Sequence, residues 1–282
     1  MDDVEEKRVY GDRSGKADLL VAAAIGVLTV EVSVDRVGGF GVTRRCSPTD
    51  VAAGDGLVAV ATEAGVLVRG PGDETFREAG FGPAVAVGVD DLGVVAAAPD
   101  GLVARLAAGR SDADDEDPVP DDGDAWADLG RLDAEVRAVD GDLLATASGV
   151  YRLPDLDYVG LDDVADVAAA GPLAATGDGL YSLGNGWLDE LDGPFSVVAS
   201  DGERAHAASA EDFFERRSRV WRPVALPAGG QVVDVTYGAV PFAVTDDGVL
   251  LAEREDGWEA TSLGVAGVVG CAVAGRSGPG RA

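Results

Sequence analysis

The sequence repeats one pattern seven times, and its clearest copy runs from Asp166 to Leu183. Two short runs of small apolar residues, at 167–170 and 173–176, precede a Gly-Asp-Gly turn and a third apolar run. These runs are too short for helices and lack helical spacing, so they predict β-strands. Glycine and aspartate favour the tight turns that join antiparallel strands. Each copy therefore predicts a meander of four strands, the fourth of which begins here at Trp187.

A single meander cannot bury both of its faces, so the copies are expected to pack against one another. A period of roughly 30–50 residues is typical of β-propeller blades arranged around an axis. The sequence therefore predicts an all-β fold. We expect a single seven-bladed β-propeller of four-stranded antiparallel blades, spanning residues 1–282 as one domain.

The first copy lacks the small-residue first strand of the others, whereas residues 265–274 have that composition and no partner of their own. We expect this C-terminal strand to complete the first blade and close the ring. Residues 8–11 are candidates for an additional edge strand, and residues 276–282 are expected to fray. Residues 109–124 are almost wholly acidic and predict a solvated loop inserted in the third blade, or alternatively an acidic interaction segment.

Aromatic residues recur in the predicted fourth strands. A large flat side chain at this position would fill the wedge between the outer parts of adjacent blades. The alternative is an array for stacking sugars or bases. The seven residues are Phe40, Phe76, Trp126, Tyr158, Trp187, Trp221 and Trp258.

The chain has a net charge of −29 and an isoelectric point near 4.1, and its only lysines are Lys7 and Lys16. This composition is typical of proteins in molar salt, where a Debye length of about 3 Å screens self-repulsion. The alternative is a surface for cations or basic partners. The charge argues against sequence-independent nucleic-acid binding. No run of ~18 apolar residues occurs, so we expect no membrane span. No signal-peptide pattern occurs, so we expect a cytoplasmic protein. We also expect a monomer.

Three aspartates form the best candidate constellation for chemistry. Asp50, Asp166 and Asp234 each stand directly before the valine of a predicted innermost strand. In aligned blades their carboxylates would point toward one mouth of the central channel, where oxygen ligands suit Ca²⁺. The alternative is that they are polar starts of buried strands. No other cofactor is indicated.

Other polar residues receive structural interpretations. The single histidine, His206, lies in an alanine-rich strand and is the only residue that a Ser-His-Asp triad would have available. Cys46 and Cys271 have no framework spacing and are expected to be small buried apolar side chains. Turn roles are expected for Asp100, Asp178 and Asp247.

An arginine cluster in the sixth copy runs against the overall charge. It comprises Arg204, Arg216, Arg217, Arg219 and Arg222. Arg216, Arg217 and Arg219 are the candidates for docking an acidic protein partner. The alternative is salt bridging to surrounding carboxylates.

The inner strands, the Thr-x-Asp-Gly-Leu-Tyr-x-Leu hairpin at 176–183 and the fourth-strand aromatics resemble seven-bladed propellers of the broad WD40 and YVTN-like kind. With its acidic, lysine-poor composition, the chain is most similar to a haloarchaeal propeller family that has no assigned activity. Gly-His and Trp-Asp pairs of WD40 repeats and the Asp-box of sialidases are missing. The resemblance therefore implies a fold and no catalytic residue.

Two functional hypotheses remain open at this point. The first is a non-catalytic propeller that serves as a rigid protein-interaction scaffold in a halophile cytoplasm. The second is a metal-dependent propeller hydrolase or lactonase that uses carboxylates at the channel mouth. An extracellular sugar-binding propeller is weakened by the missing signal peptide.

Overall fold

The computed structural model describes residues 16–107 and 126–275, which form seven four-stranded antiparallel sheets in a ring. The predicted all-β, seven-bladed propeller is confirmed. The predicted edge strand at 8–11, acidic loop at 109–124 and frayed tail at 276–282 lie outside the described residues. The third and fourth strands of the third blade end and begin on either side of the predicted loop. Within the described ranges, no helix is long and apolar enough to cross a bilayer.

The strands fall into blades as follows. Blade 1 contains β1 (Ala17–Ala23), β2 (Gly26–Val32), β3 (Val37–Arg44) and β28 (Val268–Ala274). Blade 2 contains β4 (Pro48–Gly54), β5 (Leu57–Thr62), β6 (Val66–Arg69) and β7 (Arg77–Glu78). Blade 3 contains β8 (Ala86–Asp90), β9 (Gly93–Ala97), β10 (Leu102–Ala107) and β11 (Trp126–Arg131). Blade 4 contains β12 (Val136–Asp140), β13 (Leu143–Thr146), β14 (Gly149–Arg152) and β15 (Asp157–Gly160).

The remaining three blades use consecutive strands in the same way. Blade 5 contains β16 (Val164–Ala168), β17 (Leu173–Thr176), β18 (Gly179–Leu183) and β19 (Trp187–Asp192). Blade 6 contains β20 (Val197–Ser200), β21 (Arg204–Ala208), β22 (Phe213–Arg217) and β23 (Val220–Val224). Blade 7 contains β24 (Val232–Tyr237), β25 (Pro241–Thr245), β26 (Val249–Arg254) and β27 (Gly257–Ser262).

The C-terminal strand closes the ring as the sequence predicts. β28 is the innermost strand of blade 1 and pairs antiparallel with β1, with Asp18 opposite Ala274 and Ala22 opposite Gly270. The strand begins at Val268, three residues later than predicted, because Gly267 has a φ of +63° and its N–H bonds to the Asp246 carbonyl. Both chain ends of the described ring are thereby held in one sheet.

A buried threonine ends the second strand of several blades and caps the hairpin that follows. In blades 2 and 4, the Thr62 and Thr146 hydroxyls donate to the carbonyl oxygens of Gly65 and Gly149, at 2.6 and 2.7 Å. In blades 5 and 7 the threonine hydroxyl also bonds to Asp178 and Asp247, at 2.6 and 2.5 Å. Asp100 accepts the Leu102 N–H at 3.2 Å. The predicted turn roles of these three aspartates are confirmed.

The core of the described ring is divided into clusters that lie between adjacent blades. One cluster, for example, joins Leu19 and Leu28 of blade 1 to Phe242 and Leu250 of blade 7. Every neighbouring pair of blades shares such a cluster. Small residues in the inner strands allow the blades to converge on the axis, whereas the larger side chains fill the space farther out.

Five of the seven predicted wedge aromatics pack against the preceding blade. Trp126, Trp187 and Trp221 each donate an indole N–H to that blade's outer region, at 2.6, 3.1 and 2.9 Å. Phe76 and Trp258 join inter-blade clusters.

The prediction is wrong for the other two aromatics. Phe40 is 46% exposed on β3, and Tyr158 is 59% exposed. The Tyr158 ring turns back on its own blade, because its hydroxyl donates to the Leu161 carbonyl at 2.8 Å and its edge meets Tyr151.

Trp187→Phe is expected to lower the free energy of unfolding by about 1–2 kcal/mol. The indole N–H bonds to the Val159 carbonyl across the boundary between blades 4 and 5, and the ring lies against Gly160. Urea unfolding in molar salt measures the change. The control is Tyr158→Phe, which deletes a bond of similar length at an exposed site and is expected to cost less than about 0.5 kcal/mol. Equal losses would contradict the inter-blade role of Trp187.

Candidate functional site

The innermost strands surround a central channel with a cavity of about 400 Å³. Its lining is rich in polar side chains, which include four aspartates and several hydroxyls. Asp50, Asp166 and Asp234 all line it, so the fold brings the three predicted residues to one cavity. The fourth carboxylate belongs to Asp140, at the end of β12.

Each of the three predicted carboxylates bridges two neighbouring blades. Asp166 accepts the N–H of Val167 in its own strand at 2.8 Å and that of Val198 in blade 6 at 2.8 Å. Asp50 accepts from Val51 at 2.7 Å and from Val87 of blade 3 at 2.9 Å.

Asp234 does the same where the ring closes. It accepts from Val235 at 2.7 Å and from Cys271 of β28 at 2.7 Å. The strand pairing shifts register immediately before each of the three aspartates, as in a β-bulge that re-aims a side chain. A repeated local irregularity thus turns these carboxylates toward the next blade.

The channel changes the acidity of these carboxyls. Burial raises the pKa of Asp50 to about 6 and the pKa of Asp166 to about 7, while the bonded N–H groups act in the opposite direction. Burial also raises the pKa of Asp234 well above its ordinary value, and the charges of Asp166 and Asp50 add to this. Burial likewise raises the pKa of Asp140, whose carboxylate accepts the Ala169 N–H of blade 5 at 2.7 Å. Carboxyl groups whose charges raise one another's pKa in this way lie in one site.

Gly270 shows how closely two of the carboxylates approach. A Cβ at this position would lie 3.2 Å from Asp234 Oδ2 and 3.7 Å from Asp50 Oδ1. Blade 1 therefore has no side chain where blades 2 and 7 have their aspartates. Within residues 16–107 and 126–275, no group of three or more histidine, cysteine or acidic side chains is arranged to hold a metal ion. The calcium site therefore stays a prediction.

His206 joins blades 6 and 7 rather than facing the channel. Its ring is fully buried, and Nδ1 lies 2.8 Å from the Tyr237 hydroxyl. Because that hydroxyl donates to the Ala199 carbonyl at 3.2 Å, the imidazole Nδ1–H is the donor to the tyrosine oxygen. Burial and the charges of Arg204 and Arg217 lower the pKa of His206 to about 3. A neutral histidine stacked on an aromatic cluster therefore fills this boundary.

The arginine cluster separates into paired and unpaired members. Arg216 lies 3.9 Å from Glu190 of blade 5 and is only 13% exposed, with its guanidinium over the Trp221 ring. Arg217 bonds to Glu215 and to Glu253 of blade 7, and Glu253 also bonds to Arg204 at 3.1 Å.

Arg219 differs from these residues. It is exposed at the tip of the turn between β22 and β23, and the described residues provide it with no ion pair. Salt bridging between blades thus accounts for Arg216 and Arg217. Among the three predicted partner-binding residues, Arg219 is the one whose side chain is free for contact.

Asp140 and Tyr237 contribute to the channel but have no place in the sequence prediction. Asp140 stands before a glycine turn, where an aspartate reads as a turn residue. Tyr237 ends an inner strand, and the other copies have a different residue type at this position, so the repeat does not single it out. The only signal available was their position at the ends of predicted inner strands. Cys46 and Cys271 are free thiols; Cys271 is buried as predicted, whereas Cys46 is only partly buried.

Comparisons with known proteins agree with this architecture. A family model described as HVO_0234-like beta propeller matches residues 3–274. No curated protein sequence matches the chain.

Solved structures share the fold at low identity. The WD40 propeller domain of Doa1 is similar, with a TM-score of 0.59, 12% identity and coverage of 80% of this chain and 86% of that one. YCF48 bound to a D1 peptide has a TM-score of 0.53 and 11% identity, and the match covers 76% of this chain and 82% of that one. A chain of a nidogen/laminin complex has a TM-score of 0.57 and 12% identity, and the match covers 92% of this chain and 99% of that one. These likenesses concern the fold alone.

Proposed function

This chain belongs to the HVO_0234-like β-propeller family, and we propose that it serves as a rigid, non-catalytic platform for protein interaction in a high-salt cytoplasm. The observation that carries the proposal is the turn between β22 and β23. Ser218 and Arg219 form this two-residue turn with φ values of +52° and +64°. Such turns favour asparagine and glycine, because other side chains lose stability there. An arginine that adopts this conformation despite its cost in stability supports a role in contact.

The surroundings of the turn make it a rigid support. Arg204 and Arg217 tie blade 6 to Glu253 of blade 7, and Arg216 ties it to Glu190 of blade 5. Val220 beside the tip is 52% exposed, so an apolar contact adjoins the positive charge. A preorganised cationic and apolar tip suits an acidic surface on a protein partner.

Similar folds in complexes add support of a general kind. YCF48 is bound to a peptide, and another similar chain comes from a nidogen/laminin complex. Both structures are complexes with a peptide or a second protein. By analogy of fold, this chain is suited to the same type of task.

A hydrolase is the second candidate, and one observation favours it. The pKa values of Asp50 and Asp166, at about 6 and 7, are those of carboxyls that transfer protons near neutral pH. The same carboxylates each accept two backbone N–H groups that join blades, which favours a structural role. We therefore rank the platform first.

Arg219→Gly is expected to raise the free energy of unfolding by about 0.5 kcal/mol and to reduce partner recovery at least tenfold. Stability would rise because glycine accepts a positive φ, and recovery would fall because the cationic contact is removed. Tagged protein is purified from a native lysate in molar salt, and co-eluting proteins are quantified by mass spectrometry.

Two further variants serve as controls. Ser218→Gly relieves the same turn and keeps Arg219, so it should retain the partner. Asp50→Asn alters the channel and should also retain it. A chain that elutes alone would contradict the platform. If the purified protein also hydrolyses lactones or esters, and Asp50→Asn abolishes that activity, the hydrolase function replaces the platform function.

A further inference from the structure

We propose that β3, the outer strand of blade 1, is a second binding surface, which takes an extended acidic peptide as an added antiparallel or parallel strand. This inference goes beyond the platform function assigned to the Arg219 turn. It rests on the composition, exposure and flanking charges of one sheet edge.

Among the described strands, the outer edge of blade 1 is less protected than the outer edges of the other blades. Residues 37–43 of β3 contain no charged side chain and no proline. Every other outer strand of the described ring is two residues long or carries charges: these strands are β7, β11, β15, β19, β23 and β27. Proteins usually shorten or charge such edges, because an open edge pairs with other strands. An edge with seven consecutive uncharged residues is therefore a candidate for recognition by strand addition.

The exposed side chains suit an incoming strand. Phe40 and Val42, which alternate to the same face, are 46% and 39% exposed. On the opposite face, a Cβ added to Gly39 or Gly41 would meet nothing within 4 Å, and neither glycine has a positive φ. Neither packing nor backbone conformation therefore requires glycine here. These two positions leave the strand bare and leave space for a partner's side chains.

The pairing of β3 with β2 defines the length of the surface. Phe40, Gly41 and Val42 pair in continuous register with Val30, Thr29 and Leu28, and the register shifts on both sides. In an antiparallel ladder, alternate residues turn their N–H and C=O groups away from the partner strand. The regular section therefore offers hydrogen bonds to a short added strand centred on Gly41.

Arginines at both ends of β3 select the charge of the peptide. Arg36 precedes the strand, and Arg44 and Arg45 end it, in a chain with a net charge of −29. Arg36 and Arg45 are exposed and have no ion pair among the described residues. Arg44 reaches Glu78 only at 4.0 Å, and its buried Nε has no hydrogen-bond partner. Acidic residues at both ends of a peptide of about eight residues would meet these cations.

The same charges disfavour a second copy of the chain as the occupant. In either strand direction, self-pairing would bring the arginines at the ends of one β3 next to those of the other. Like charges across adjacent strands are destabilising. An acidic partner peptide is therefore the occupant that the edge fits.

The test uses labelled nonapeptides and the full-length chain in 1 M KCl, where a Debye length of about 3 Å limits charge effects to direct contacts. The probe has alternating valine and threonine at its five central positions and two glutamates at each end. One control peptide has lysines at the ends, and another has proline at the centre. Fluorescence anisotropy measures the affinities, and hydrogen exchange follows the backbone amides of residues 39–43.

We expect the glutamate peptide to bind about fivefold more tightly than the lysine peptide and at least tenfold more tightly than the proline peptide. Exchange at residues 39–43 should slow when it binds. The doubly substituted Arg36→Glu, Arg45→Glu chain should reverse the charge preference, because both side chains are exposed and neither forms an ion pair with a described residue. Equal binding of the glutamate and proline peptides, unchanged exchange, or an unreversed preference would overturn the proposal. None of these results affects the Arg219 turn, whose partner recovery is measured separately.

Discussion

Gly248→Ala is expected to lower the free energy of unfolding by about 3–4 kcal/mol. A Cβ at this position would lie 2.1 Å from the Val265 carbonyl oxygen, and the backbone φ is +85°. The residue cannot move aside, because its N–H donates to the Thr245 carbonyl at 3.0 Å and its own carbonyl accepts the Leu263 N–H at 2.9 Å. Urea unfolding followed by tryptophan fluorescence in molar KCl measures the loss.

Two other glycines separate the clash from the backbone strain. Gly101 has the same environment in blade 3, where a Cβ would lie 2.0 Å from the Leu132 carbonyl at a φ of +83°, so the loss should be similar. Gly72 has a φ of +84° with nothing within 4 Å, so Gly72→Ala should cost only about 1 kcal/mol. A Gly248→Ala variant as stable as Gly72→Ala would show that the connection at 263–265 yields easily.

The same glycines show how far the sequence predicts the fold. Asp100-Gly101 and Asp247-Gly248 are recognisable as tight turns from local composition alone. The close approach of the chain at Leu132 and Val265 is a tertiary feature of the connection to the next blade, and no local pattern encodes it. Repetition predicts the blade number and the ring closure because each copy adds an independent instance of one pattern. It predicts the start of β28 less well, since the turn at Gly267 depends on Asp246 of blade 7.

Three of the four channel aspartates were predictable from the sequence, but their hydrogen bonds were not. Asp50, Asp166 and Asp234 share an aspartate–valine pattern that predicts one location in the blade. Their second hydrogen bond goes to the backbone of the next blade, and a backbone N–H leaves no signature in the sequence.

The arginine cluster has the same limitation. Its composition was visible, but Glu190 and Glu253, which bind Arg216 and Arg217, belong to blades 5 and 7, and only Glu215 lies on the same strand as these arginines. Only the assembled ring shows that those two residues form ion pairs between blades and that Arg219 does not form one with a described residue. Sequence therefore identifies the candidates, and the neighbouring blades decide what each one does.

The role of the channel carboxylates leads to a prediction about pH. Asp166→Asn is expected to destabilise the protein at pH 5 and to be neutral or stabilising at pH 8.5. The pKa of Asp166 rises from 3.8 to about 7 on folding, so the folded state holds the proton more tightly than the unfolded chain. The resulting stabilisation is fully present below about pH 4 and is lost progressively as the pH rises to about 7, by roughly 4 kcal/mol in total. Thermal unfolding of both proteins at fixed molar KCl, between pH 4.5 and 8.5, measures the difference.

Asparagine sets the baseline for this comparison because it does not titrate. Its carbonyl oxygen accepts one of the two backbone N–H groups, while its amide nitrogen faces the other, at a cost of about 1–3 kcal/mol. That cost dominates at pH 5, whereas the wild-type loss exceeds it at pH 8.5, so the two stability curves should cross. Asp50→Asn is the matched variant; because burial raises the Asp50 pKa only to about 6, the wild-type loss at that site should level off near pH 6 and total roughly 3 kcal/mol. A difference that stays constant with pH would mean that Asp166 is ionised throughout, and that the two N–H groups of blades 5 and 6 outweigh its burial.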